Sequence, residues 1–336
     1  MTLPTHRPII VLGCPRSGTT LLQQMLHCHA RIALPSETRL VQPAYRHRLG
    51  FGDLAVPGNR QAFASWLVER KRAKFEALAP LETGDAVAAI AAAPPTVGSA
   101  LAAVFRAYAR AHGKARWGDK RPGYFRQVPT LLRLFPDAQF VHLIRDGRDA
   151  VASLRSMPWY EGDLYTAALT WREAIDTGER MARRLGPGTY HQMRYEELTA
   201  EPERALRALC AFLGEEYDPA MTEPQHHARA TIPAARRWHL RTLEEVNTRH
   251  VGAWADRLEP WEVGLIERTA GDRLTALGYG LSDAPRPPAQ DLARFRQAEV
   301  RRWRVQRGQA VMDRTRRLRE PNPVASELTG PALEPV

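Results

Sequence analysis

Ile9-Ile10-Val11-Leu12-Gly13-Cys14-Pro15-Arg16-Ser17-Gly18-Thr19-Thr20-Leu21-Leu22 is the stretch that decides the fold. Ile9 to Leu12 form a short apolar run rich in β-branched residues, which suits a strand buried on both faces. Gly13 to Thr20 is a loop of small residues. Leu21, Leu22, Met25 and Leu26 then set one apolar face of a helix. Strand, glycine loop and helix open an α/β unit. Gly13, Gly18 and Thr20 also fill three places of the phosphate-binding template GxxxxGK[ST]. In such a loop, backbone N–H groups and a helix N-terminus hold an anion. Thr19 stands where the template has Lys, the residue that reaches the β- and γ-phosphates of a nucleoside triphosphate. Arg16 is the cation inside the loop. No apolar strand ends in a Walker-type Asp; the strongest ends Ile144-Arg145-Asp146. These departures favour a phosphate or sulfate group held without obligatory magnesium.

The same alternation continues along the chain. Phe140 to Ile144 reads as a strand, Arg145 to Asp149 as a loop, and Ala150 to Arg155 as the start of a helix. A short strand is expected at Ala115–Trp117, followed by a loop from Gly118 through Lys120 to Pro122 and a helix to about Phe135. Gly188–Arg194 reads as a late strand. Helices are expected at Leu164–Leu185, Pro202–Leu213 and Pro260–Leu277. Strands alternating with helices predict an α/β, P-loop-type three-layer fold: a central, mostly parallel sheet flanked by helices. Residues 41–113 read as a helical insertion, with Asp85–Thr96 a connection or short helix. The expected organisation is one domain over 1–281 and an Arg-rich helical extension over 282–336.

Composition narrows the function classes. With 44% hydrophobic and 25% charged residues, the chain is neither disordered nor a membrane-spanning bundle, and no apolar run reaches the length of a span. The N-terminus lacks the long apolar core of a secretory signal. Three cysteines, Cys14, Cys28 and Cys210, form no CxxC pair, so neither a disulfide framework nor a zinc site is expected, and the compartment reads as a reducing cytoplasm. Of the net charge of +11, Arg286 to Arg319 holds +8, from eleven Arg against Asp291, Glu299 and Asp313. That tail suits an anionic surface or an acidic partner, or else a solvated helix packed through Leu292, Phe295 and Trp303.

Pro15-Arg16-Ser17-Gly18-Thr19-Thr20-Leu21-Leu22 resembles the 5′-phosphosulfate loop of sulfotransferases that use 3′-phosphoadenosine 5′-phosphosulfate, and is most similar to the PRSGTT branch of bacterial enzymes and tyrosylprotein sulfotransferases. The family holds the 3′-phosphate with an Arg at a strand end and a Ser eight residues on; Arg145 and Ser153 stand at that spacing. Tyr195, in Arg194-Tyr195-Glu196-Glu197-Leu198, resembles the family's YExL segment and is a candidate cofactor contact or a packing ring. Together these segments cover about 8–40, 115–215 and 250–281.

The resemblance also implies the catalytic residues. Glu37, 21 residues after Arg16 and in a Glu-Thr-Arg context, matches the general base of the tyrosylprotein branch. Lys120, 25 residues before Arg145, matches its transition-state cation, a role shared with Arg16. The implied reaction is sulfuryl transfer to a hydroxyl acceptor with no metal required. Two rival readings are a P-loop kinase or nucleotide hydrolase, and a nucleic-acid- or membrane-associated protein acting through the basic tail. Met157 stands where the branch often has a basic residue, with Arg155 as a candidate replacement. His142 reads as a structural residue inside a strand, and His226 and His227 as a surface pair. The acceptor's chemistry and the oligomeric state are not legible; Arg236, Arg237, Trp238 and Arg241 fall in a loop that could meet either the nucleotide or an acidic acceptor.

Overall fold

The computed structural model describes residues 6–225, 246–320 and 323–328. His226, His227, Arg236, Arg237, Trp238 and Arg241 lie outside the described residues. The first strand, β1 (Ile9–Gly13), is followed by α1 (Thr19–Cys28) and the two-residue β2 (Ile32–Ala33). Five helices come next: α2 (Val41–His47), α3 (Pro57–Arg70), α4 (Arg72–Glu76), α5 (Thr83–Ala92) and α6 (Val97–Ala111). Then follow β3 (Arg116–Lys120), α7 (Val128–Leu134), β4 (Gln139–Ile144), α8 (Gly147–Arg155), α9 (Leu164–Leu185) and β5 (Tyr190–Arg194). The described chain closes with α10 (Tyr195–Ala200), α11 (Pro202–Leu213), α12 (Pro260–Ala276) and α13 (Ala289–Leu318).

The strands form one sheet in the order β2-β3-β1-β4-β5, and every pairing is parallel. β1 lies in the middle, with Ile9 opposite Gly118 on one side and Gln139 on the other. Its apolar run is fully buried because helices cover both faces. Ile10 and Leu12 point into the larger core with α6 and α9; Ile9 and Val11 point into a second core with Leu22 and Met25 of α1 and Leu206 and Leu209 of α11. This is the period-two division expected of a central strand. α6 packs its Phe105 ring on Trp117 of β3, with centroids 4.9 Å apart. The helical segment 41–113 therefore covers the sheet as expected, and Asp85–Thr96 contains most of a real helix, α5.

Three expectations are corrected. Gly118 to Lys120 is strand, not loop. Asp119 and Lys120 escape the usual bias against buried charge because each finds a partner, as described below. The helix expected from Pro122 to Phe135 is split into a 3-10 turn over Pro122–Gln127 and α7. Pro129 lies in the first turn of α7, where its missing N–H costs nothing, whereas in a continuous helix it would break a hydrogen bond. In the tail helix, Phe295 is buried and Leu292 partly so, but Trp303 is 55% exposed. The inward row there is polar: Arg302 and Gln306 reach Glu173 of α9.

Beyond α13 the chain returns to the body. Glu320 pairs with Arg48 and Arg133, the Gly98 N–H donates to the Val324 carbonyl at 2.8 Å, and the Ser326 N–H donates to the Leu134 carbonyl at 2.7 Å. No described helix is long and apolar enough to cross a membrane.

Candidate active site

The loop after β1 turns tightly, with the Ser17 N–H donating to the Cys14 carbonyl at 3.1 Å. Gly18 caps α1 in the left-handed region at φ 90°. A Cβ there would lie 2.4 Å from the Tyr195 ring, so glycine is needed for both backbone and space. Arg16 also has positive φ, 73°, a costly conformation for a side-chain-bearing residue. Ser17 is fully buried, yet its Oγ has no hydrogen-bond partner. A buried unpaired hydroxyl at a helix mouth is what a bound anion would satisfy.

On one side of this loop stands Arg145, at the end of β4 and 5% exposed. Its Nη1 donates to the Arg16 carbonyl at 3.1 Å, its Nη2 donates to the His250 carbonyl, and Asp149 lies 3.5 Å away. The guanidinium sits 4.6 Å from the centre of the Tyr195 ring, and its Nε is buried without a partner. Ser153, on α8, accepts from Arg16 Nε at 3.2 Å. The structure thus gathers Arg16, Ser17, Gly18, Arg145, Ser153 and Tyr195 at one place, where two buried donors, Ser17 Oγ and Arg145 Nε, have no hydrogen-bond partner.

On the other side, Lys120 Nζ donates to Glu37 Oε1 at 3.1 Å and to Thr20 Oγ1 at 3.2 Å. Lys120 is buried, while the Glu37 side chain keeps 23% exposure and so remains open to an incoming molecule. Arg39 also approaches Glu37, at 3.6 Å. The residue after Glu37 is tethered: Thr38 Oγ1 donates to Asp119 Oδ1 at 3.3 Å, and Tyr124 donates its phenol proton to Asp119 Oδ2. Burial pushes the Asp119 carboxyl upward, while these hydrogen bonds pull it back.

Sequence reasoning missed several of these supports. Asp119 was hidden because its segment read as loop; an acid beside Lys120 in a short strand was the available signal. Glu196 was visible only as part of the YExL-like segment, with no role of its own. In the fold it accepts from the Asp146 N–H at 2.9 Å and from the Tyr279 hydroxyl at 2.9 Å, tying the turn after Arg145 to α10 and to the chain just after α12. Trp171 Nε1 donates to the Arg145 carbonyl at 2.8 Å, and Asp149 accepts from the N–H groups of Gly252 and Trp254 at 2.9 and 2.8 Å. Arg155 is engaged elsewhere, 2.6 Å from Glu262 in the capping box of α12. His142 is fully buried, and burial pushes its pKa down to about 3. The Cys14 thiol, also buried, is pushed up to about 12, which removes it as a nucleophile at neutral pH. Pro15 and Thr19 complete the loop and the first turn of α1. Among the described residues, no three His, Cys, Asp or Glu side chains gather as a metal site.

The sulfotransferase family model matches residues 8–219, a span that contains every residue just described except His250, Gly252, Trp254, Glu262 and Tyr279. The chain belongs to the sulfotransferase family. The protein-tyrosine sulfotransferase of Drosophila melanogaster is 25% identical over 282 residues, 81% of this chain and 51% of that protein. Nodulation protein NoeE of Sinorhizobium fredii is 27% identical over 334 residues, 92% of this chain and 71% of that protein. The solved sulfotransferase domain of the Synechococcus PCC 7002 olefin synthase shares the fold at a TM-score of 0.57 with 22% identity, over 84% of this chain and 99% of that domain. The chain spans about half the length of the protein-tyrosine sulfotransferases of Drosophila melanogaster and Gallus gallus.

Proposed function

We propose that the chain moves a sulfuryl group from 3′-phosphoadenosine 5′-phosphosulfate to a hydroxyl acceptor. The observation that carries this reading is the direct bond from Arg145 to the Arg16 carbonyl, which brings the two places proposed to bind anions into contact. Relatives named as protein-tyrosine sulfotransferases support the same reaction class. The co-substrate supplies an activated sulfuryl group and, on leaving, a bisphosphate.

The protein's own part divides by place. The N–H groups of the Pro15–Thr20 loop and the mouth of α1 hold the 5′ end, with Ser17 Oγ as a further donor. Arg145 and Ser153 hold the 3′-phosphate, the guanidinium through charge-assisted bonds. Tyr195 keeps Arg145 in place by packing between it and Gly18. Glu37 accepts the acceptor's hydroxyl proton. Lys120 and Arg16 stabilise the charge on the transferring oxygens; in such reactions positioning and electrostatics supply most of the rate. No metal enters these steps. The three cysteines are free thiols, which suits a reducing cytoplasmic setting.

Calorimetric titration with adenosine 3′,5′-bisphosphate against ATP with magnesium tests the site. Preference for the bisphosphate supports the reading; preference for ATP overturns it in favour of a kinase or hydrolase. Transfer of radiolabelled sulfate into host extract, compared with Glu37→Ala, tests the reaction itself.

A further inference from the structure

α13 carries nine Arg against three acids, and its side facing the body uses up the acids and the buried apolar ring. Asp291 is buried, accepts the Tyr165 hydroxyl at 2.6 Å and faces Arg294 at 3.4 Å. Glu299 pairs with Arg172 of α9, and Asp313 pairs with Arg317 at 2.7 Å. Phe295 enters the core, while Arg302 and Gln306 reach Glu173.

The opposite side is a ridge without an acid. Steps of four and three residues, which align side chains along one helix face, lead from Arg296 through Val300, Trp303, Arg307, Val311 and Arg314 to Leu318. Every one of these residues is exposed, Val300 at 48%, Val311 at 60% and Leu318 at 82%. The Arg307 guanidinium lies 5.2 Å from the centre of the Trp303 ring. Arg296, Arg307 and Arg314 have no ion pair among the described residues. The helix runs for 30 residues, about 45 Å, and is anchored near one end by Phe295 and just past the other by Glu320 on Arg48 and Arg133. The ridge is therefore held outward by the fold.

Its composition selects the partner. A second copy of the ridge would set guanidiniums against guanidiniums. Nucleic-acid phosphates would meet the Arg but leave the apolar residues between them in contact with a polar backbone. The headgroup layer of an anionic bilayer satisfies both kinds of side chain. Arg stems bend so that their charge meets the headgroups, the aliphatic residues enter the acyl boundary, and the indole of Trp303 suits the interface between them.

We infer that the outer ridge of α13 seats the protein on an anionic lipid bilayer, with the helix lying in the plane of the headgroups. The inference is independent of the reaction performed at the Arg16 loop.

The test is flotation of the full chain with vesicles of phosphatidylcholine alone or of equal parts phosphatidylcholine and phosphatidylserine. Binding is expected only to the second, and it should weaken as salt is raised. Replacing the three ridge arginines, Arg296→Glu, Arg307→Glu and Arg314→Glu together, should lower the vesicle affinity by at least ~100-fold, about fivefold for each charge. Val311→Ser with Leu318→Ser should lower it by at least ~10-fold. All five positions are exposed, so urea midpoints should match wild type. In the unmutated ridge, lipid brominated on its acyl chains should quench Trp303, and Trp303→Phe should lose that quenching. Equal binding to both vesicles, full binding by the charge variant, or quenching that Trp303→Phe leaves unchanged would each overturn the inference. So would serine variants that bind vesicles as wild type does while the charge variant loses its grip on polyglutamate or duplex DNA; the partner would then be an acidic protein or a nucleic acid.

Discussion

Arg145 Nη1 donates to the backbone carbonyl of Arg16 at 3.1 Å, so the end of β4 and the loop after β1 hold each other in place. The bond lands on a residue whose own φ is 73°, and it helps to fix that costly conformation. Removing the guanidinium therefore disturbs together both places proposed to bind anions. Arg145→Ala is expected to lower the affinity for adenosine 3′,5′-bisphosphate by ~10²-fold, from the loss of charge-assisted bonds worth about 1.5–3 kcal/mol each. Ser153→Ala should cost less, about 10-fold, since it removes one hydrogen bond to the phosphate and no positive charge. Isothermal calorimetry reads both; the reverse order would refute the assignment of Arg145 to the 3′-phosphate.

Glu37 and Lys120 lie 3.1 Å apart at the edge of the loop, and Glu37 is the more exposed of the two. Glu37→Gln keeps the size and a hydrogen-bonding oxygen but cannot take a proton. The transfer rate should fall by ~10²–10⁴-fold. Bisphosphate affinity should stay within about twofold, since binding energy and proton acceptance are separate roles. A parallel loss of affinity would show that Glu37 binds the nucleotide and is not the base.

Gly18 should tolerate no side chain. Its φ is 90°, and an added Cβ would sit 2.4 Å from the Tyr195 ring. Gly18→Ala is expected to cost ~1–3 kcal/mol in urea unfolding and to weaken nucleotide binding. In a Tyr195→Ala background the contact disappears but the backbone strain stays, so only part of the loss should be recovered. Full recovery would mean that the ring alone demands glycine.

His142 gives the fold an acid limit. Its ordinary pKa is 6.5, and burial in the folded chain lowers this to about 3. Between those values the unfolded chain binds a proton that the folded chain refuses, so stability falls as pH drops from about 6.5 toward 3. The slope is about 1.4 kcal/mol per pH unit, hence about 2 kcal/mol lost by pH 5. Burial raises Asp119, Asp149 and Glu196 instead, which acts with the opposite sign. The difference between wild type and His142→Asn removes that background. Urea midpoints at pH 5 and 7 should converge for the variant; equal pH slopes in both proteins would refute the effect.

Much of the fold is legible in local runs. Ile9–Leu12 and Phe140–Ile144 are apolar enough to announce strands buried on both faces, and the glycines around Arg16 announce the loop between strand and helix. β3 was less visible because Gly118, Asp119 and Lys120 look like surface residues. Their burial depends on Thr38, Tyr124, Glu37 and Thr20, and none of those pairings can be read from spacing. The same holds for Glu196, whose partners Asp146 and Tyr279 lie 50 and 83 residues away. Trp303 misled for a related reason. Its helical spacing from Phe295 is apolar, but the helix turns a polar row toward Glu173, so periodicity alone named the wrong face.

The central place of β1 has a consequence for biogenesis. Ile9 must pair with Gly118 and Gln139, residues that emerge more than a hundred positions later. At ~5–20 residues per second, the most apolar strand of the protein waits several seconds to tens of seconds on the ribosome before either neighbour exists. Shielding of that nascent segment by a chaperone, rather than the stability of the finished fold, is then expected to set how much folded protein a cell recovers.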